Sequence, residues 1–130
     1  MWALKEITEK DIEPYERDYC RRARDLEPLQ ECSLYGTYFN KHLVSYFAVS
    51  ELPNDTIFIR RGYVLPQFRA TEPSGTVWKE SMKLLEQAAR AQGFRNIEFY
   101  STRNPTAYSR MFNQIGFKIK YAGFVKHLGD

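Results

Sequence analysis

The chain has 130 residues, 43% hydrophobic and 15% aromatic, which fits one domain spanning residues 1–130 and excludes intrinsic disorder, because disordered chains lack the apolar residues a core needs. Its net charge of +3 suits an anionic ligand such as a nucleotide phosphate without demanding nucleic acid, which the sequence does not exclude as a partner. No apolar stretch approaches the roughly 20 residues of a bilayer span, no signal-like apolar core opens the chain, and Cys20 and Cys32 have neither a CxxC spacing nor a histidine cluster beside them, so a cytoplasmic chain without membrane or metal site is expected.

The first element is a short half-apolar strand, Trp2 to Ile7. Thr8 followed by Asp11 marks a helix start, and Ile12, Tyr15, Tyr19 and Ala23 then recur at helical spacing over Glu9 to about Arg24. Pro28 stops it. The two cysteines, one in this helix and one beyond it, read as buried thiols in a reducing compartment, with a single disulfide as the alternative. From Cys32 the period changes. Ser33 to Phe39 and Leu43 to Val49 are rich in Tyr, Phe and Val and read as strands joined by a turn at Asn40-Lys41-His42. Pro53-Asn54-Asp55 is a second turn, and Thr56 to Leu65 a third strand.

Pro66 to Thr76 reads as a loop. The stripe Trp78, Met82, Leu85 and Ala89 predicts a helix from Val77 to Gln92, with Gly93 as its stop. A strand from Asn96 to Thr102 follows, then a short helix from Pro105 to Gln114 with Asn104 as its N-cap, and a final strand or hairpin from Phe117 to Leu128 around Ala122-Gly123. The fold class is therefore α/β (or α+β): a mixed, mostly antiparallel sheet with helices on both faces. The helix after Leu65 joins two long apolar strands, which is where a parallel pair and its crossover belong. A sheet that splays at such a pair opens a crevice at its strand ends.

Two segments carry a family resemblance. One is Gly62-Tyr63-Val64-Leu65-Pro66-Gln67-Phe68-Arg69, leading through the long helix to Gly93-Phe94; the other is Asn104-Pro105-Thr106-Ala107, continuing to Ile115-Gly116-Phe117. Together they resemble the Val-x-Pro-x-x-Arg strand end and the Asn-x-x-Ala helix ending in Gly-Phe of the GCN5-related N-acetyltransferase (GNAT) superfamily. The resemblance covers about half of the chain; the N-terminal half matches only in element order. It implies acetyl-coenzyme A or another acyl-coenzyme A as donor and an amine, on a small molecule or a protein, as acceptor. It also implies coenzyme contacts at Leu65, Gln67, Arg69, Ser74, Gly75, Thr76 and Asn104. The physics agrees: a loop that becomes a helix N-terminus presents unpaired N–H groups and positive potential to a pyrophosphate.

The chain departs from the family pattern at specific points. In the loop after Arg69, Glu72 and Ser74 stand where the family has glycines, and an insertion either shifts the cradle to Ser74-Gly75-Thr76 or abolishes it. The family's acid, a Tyr four residues before Gly-Phe, is Phe112 here; Tyr108 lies one helical turn earlier on the same face and either takes over or merely packs. The family's base is commonly a carboxylate on the fourth strand, where this chain has Arg60 and Arg61, a pair that reads as a solvated basic face. Glu51 is the candidate catalytic carboxylate, with Glu98, on the strand after the long helix, as the alternative; each reads more readily as a surface residue. His42 and His127 have no Ser or Cys nucleophile pattern near them, so a hydrolase triad is not supported. A second class of function follows from these departures: a catalytically degenerate acyltransferase-like module that binds a protein or nucleic acid. The Tyr and Phe residues between Tyr35 and Phe47 either pair two chains into a homodimer or pack under the chain's own helices.

Overall fold

The structure is a computed structural model that describes residues 1–23, 25, 29, 31–69, 76–100, 118–120 and 123–128, with the backbone only of residues 100, 118–120, 123 and 124. Its elements are β1 (Trp2–Glu6), α1 (Glu9–Ala23), β2 (Ser33–Phe39), β3 (His42–Leu52), β4 (Thr56–Val64), a 3-10 turn (Pro66–Phe68), α2 (Thr76–Ala91), β5 (Asn96–Tyr100), β6 (Lys118–Lys120) and β7 (Gly123–His127). The strands form one sheet in the order β1-β2-β3-β4-β5-β7-β6. Its pairs are antiparallel except β4–β5, which α2 connects as a crossover. The helix predicted over 105–114 lies outside the described residues. No helix among them is long and apolar enough to cross a membrane.

Local chemistry accounts for the boundaries. Asp11 accepts hydrogen bonds from the Thr8 amide (2.8 Å) and hydroxyl (3.1 Å), which ties down the free N-terminal turn of α1. Asn40 and Lys41 both take positive φ (50° and 71°), the type I′ geometry that suits the twist of a two-residue hairpin. His42 is accordingly the first residue of β3 and not part of the turn. Strand β3 runs three residues past the predicted Val49, to Leu52, because β4 keeps pairing with it as far as Leu52↔Thr56. At the end of α2, Gly93 (φ 89°) donates to the Arg90 carbonyl and Phe94 to the Ala89 carbonyl, a glycine-dependent stop. Cys20 and Cys32 are free thiols, each half-buried instead of buried, with Cys32 Sγ 3.4 Å from Ser50 Oγ.

Alternation along β3 separates two cores. Phe47 and Val49 join Ile57, Ile59, Trp78, Met82 and Leu85 on the α2 side. Tyr46 and Ala48 join Ile12, Leu34, Tyr63 and Leu65 on the α1 side. The helices therefore cover opposite faces, as the sequence predicts. Tyr46 and Phe47 are spent on the chain's own cores, whereas Phe39 stays 39% exposed against Trp2.

Candidate functional site

The site is built around an irregularity in β4. Its register with β3 steps from Val49↔Ile59 to Ala48↔Arg61, so Arg60 is an inserted, bulged residue. The insertion reverses which face the following residues occupy. Ile57 and Ile59 face α2, but two steps on Arg61, Tyr63 and Leu65 face α1. Gly62 then lies against Trp78 of α2. Among the described residues the last parallel pair with β5 is Ile59↔Phe99; β4 continues to Val64, and Tyr100 pairs with Gly123 of β7.

Beyond the bulge, the Leu65 amide donates to the Val44 carbonyl on the β3 side (3.0 Å). By strand alternation Gly62 and Val64 turn their amides to the other edge, the β5 side. Pro66 then starts the 3-10 turn, closed by Phe68 N–H to Leu65 O (3.0 Å) and Arg69 N–H to Pro66 O (3.2 Å). The N-terminus of α2 lies at this same end of β4. Trp78 packs under Gly62, and Ser81 shares a buried 2.7 Å hydrogen bond with Ser45, the register partner of Val64.

On the α1 face a dense polar network joins helix to strand. Arg61, 2% exposed, pairs with Glu16, which also accepts from the Tyr46 hydroxyl (2.5 Å). Asp18 accepts from the Tyr63 hydroxyl (2.6 Å), Arg21 (2.8 Å) and Arg69 (3.3 Å). Asp25 accepts a two-pronged bond from Arg60 and lies 3.5 Å from the Tyr19 hydroxyl. Guanidinium groups cover two rings, Arg61 over Tyr19 (4.8 Å) and Arg69 over Tyr63 (4.7 Å). The Tyr63 hydroxyl, with help from Arg21 and Arg69 and against the cost of desolvation, lowers the Asp18 pKa to about 2. Burial first and the Asp18 bond second push Tyr63 up to about 12; burial and the charge of Asp25 do the same for Tyr19. Tyr46 is raised by burial and by its bond to Glu16. Arg60 and Arg61 are thus internal struts and not the solvated face their adjacency suggests. Sequence reading missed this because their partners lie 35 and 45 residues away.

The residues expected to touch a coenzyme fall into groups. Leu65, Gln67, Arg69 and Thr76 are all in the chain's passage from β4 to α2. Leu65 is buried and its amide is already used, Gln67 is exposed, and Thr76 is the first residue of α2. Arg69 turns inward: its Nε donates to the Val64 carbonyl (2.8 Å) and its Nη2 to Asp18. Ser74, Gly75, Asn104 and Tyr108 lie outside the described residues, as do Glu72 and Phe112. Glu51 is not brought to this end. It pairs with Ile57, and from there to Leu65 the strand covers roughly 26 Å at about 3.3 Å per residue. Glu51 instead borders a cavity of about 560 Å³ near the C-terminal end of α2, with Glu31, Leu52 and Phe94. Glu98, half-buried, sits opposite Phe58, before the bulge. The Gly62 and Val64 amides were not anticipated, since a bulge leaves no compositional mark.

No protein-family model matches the sequence, and no curated protein matches it. Solved structures do match. The ribosomal-protein-S18-alanine N-acetyltransferase of Escherichia coli superposes with a TM-score of 0.73 at 11% identity, covering 100% of this chain and 96% of its own. Tetrahymena GCN5 gives 0.72 at 10% identity, over 98% and 96%. A GNAT-family acetyltransferase from Elizabethkingia anophelis with acetyl-CoA bound gives 0.69 at 16% identity, over 92% and 77%. At these identities the likeness is one of fold: the chain has the GNAT fold, and its sequence is far diverged from these neighbours.

Proposed function

We propose that this chain binds acetyl-coenzyme A, or another acyl-coenzyme A, along the edge of β4 beyond the bulge and passes the acyl group to an amine by direct attack. The observation that supports the reading is the bulge in β4: past it, among the described residues, no β4–β5 pair follows Ile59↔Phe99, the Gly62 and Val64 amides turn to the β5-side edge, and α2 begins at the same end. In this reading the extended pantetheine takes the place of a strand on those amides. The pyrophosphate lies toward the N-terminus of α2 at Thr76, where helix amides favour anions. Ser74, Gly75 and Asn104 join that site on sequence grounds alone, and Tyr108 on the same grounds gives a proton to the departing sulfur. The amine nitrogen forms the new C–N bond at the thioester carbonyl as the C–S bond breaks. The nitrogen sheds a proton to water or a base, and the thiolate takes one up. Glu51 has no part in this, because it lies at the other end of the sheet. The acceptor is an amine on a small molecule or a protein. The name of the E. coli neighbour puts a protein alanine among the candidates.

A second reading, a coenzyme-binding module without turnover, draws on one observation: the α1 carboxylates facing β4, Glu16 and Asp18, are held by Arg61 and Arg69. Calorimetric titration with acetyl-coenzyme A tests what both readings share; no heat and no rise in melting temperature sinks them together. Thiol release in the presence of small amines and peptide N-termini separates them, since only the transferase frees coenzyme A.

A further inference from the structure

Arg69 is the residue that motif reading assigns to the coenzyme, yet its guanidinium is committed elsewhere. Its Nε holds the Val64 carbonyl at 2.8 Å, its Nη2 reaches Asp18 Oδ2 at 3.3 Å, and its Cζ lies over the Tyr63 ring, 4.7 Å from the centroid. These contacts use three properties of the guanidinium at once: a fork of donors, a fixed positive charge and a flat face. They close the chain from Val64 to Arg69 into one unit, with the Phe68 and Arg69 amides bonded back to Leu65 and Pro66. Asp18 secures that unit from the other side of the interface. It sits on α1, 51 residues before Arg69, and accepts from both Tyr63 of β4 and Arg69.

We infer that Asp18 is a positioning residue for the donor: by holding Arg69 and Tyr63 it fixes the turn after β4, and so fixes the Val64 amide and the point from which the chain leaves for α2. Arg69 serves coenzyme binding through its grip on the Val64 carbonyl and not as a phosphate ligand. The inference rests on the coenzyme reading above and deepens it. It also links the two sides of the fold, because α1, which covers the opposite face from α2, then sets the shape of the donor edge.

The experiment is a double-mutant cycle on the dissociation constant of acetyl-coenzyme A, measured by calorimetry for the wild type, Asp18→Asn, Arg69→Gln and the double variant. Each single change is expected to weaken binding about tenfold, and the double variant to bind no worse than Arg69→Gln, because both act through one linkage. The salt dependence of binding stays at the wild-type slope in Arg69→Gln, as no phosphate contact is lost. If Arg69→Gln melts below the assay temperature, Arg69→Lys carries the test: it keeps the charge but loses the fork and the flat face, and it too weakens binding. Wild-type or tighter affinity in Asp18→Asn overturns the inference, since it would mean that Asp18 competes with phosphate for Arg69. Additive losses, or wild-type affinity in Arg69→Lys, overturn it as well. A wild type that takes up no acetyl-coenzyme A removes the function proposed above and this inference with it. A wild type that binds, beside an Asp18→Asn that binds equally, removes this inference alone.

Discussion

Gly62→Ala is expected to destabilise the fold through a single methyl group. A Cβ at this position would stand 2.6 Å from Trp78 Cη2 and 2.8 Å from Cζ3. Carbon atoms rest at about 3.5–4.0 Å, so the overlap is about 1 Å. The indole has nowhere to retreat: it is 8% exposed, with the Phe47 ring centroid 5.7 Å away and that of Phe99 5.8 Å. Overpacking of this kind costs about 1–3 kcal/mol. For a domain of this size that lowers the melting temperature by about 3–12 °C, readable by calorimetry or by loss of the near-ultraviolet Trp signal. Trp78→Phe removes the ring atoms that clash. The double variant should therefore lose less stability than the two single changes summed. A Gly62→Ala protein melting within about 1 °C of the wild type would refute the claim that α2 is seated on β4 through this contact.

Three further outcomes follow from the polar network. Arg61→Met leaves Glu16 with the Tyr46 hydroxyl but without its counter-charge, and because that carboxylate keeps 23% of its side chain in water the loss falls at the lower end of about 3–5 kcal/mol; adding Glu16→Leu should recover much of the urea midpoint, and no recovery would mean the pair is not what the arginine secures. Asp18 has a folded pKa of about 2 against an ordinary 3.8, so the fold favours its ionised form; the stabilisation is present above about pH 4 and fades as pH falls toward 2. Asp18→Asn should flatten the acid limb of stability, and an unchanged limb counts against the Tyr63–Asp18–Arg69 cluster. In an ultraviolet titration of the folded protein, Tyr19 and Tyr63, both pushed up to about 12, and Tyr46, also raised, should stay protonated well above the ordinary tyrosine pKa of about 10. A single transition of all nine near 10 would show those hydroxyls to be solvated.

The parts of the fold that were legible in the sequence are those set by neighbours a few residues apart. Thr8 and Asp11 announce α1, Asn40-Lys41 and Pro53-Asn54-Asp55 announce hairpins, and the Trp78–Met82–Leu85–Ala89 stripe with Gly93 delimits α2 almost to the residue. What escaped was set by distant partners. Arg60 and Arg61 look like surface charges until Glu16 and Asp25 are brought to them by folding. Glu51 looks close to the functional end of the chain because it follows a strand, yet an antiparallel hairpin sends that end of β3 back to the start of β4. Arg69 fits the family motif by position, but its side chain answers to Asp18 on another element. The bulge is the clearest case: Ile57, Ile59, Arg61 and Tyr63 read as one alternating face, and only the register with β3 divides them.

That division makes Arg60 the one residue of β4 that the ladder does not need. Excising it by a single-codon deletion would set Ile59 and Arg61 side by side, opposite Val49 and Ala48. Ordinary alternation would then keep Arg61 and Tyr63 toward α1 and Gly62 against Trp78, so every partner downstream would stay in place. What would go is the Arg60–Asp25 pair and the bend and extra twist that a bulge gives its strand. The spare residue therefore shapes the path of the strand toward α2 without deciding which of its side chains lie inside.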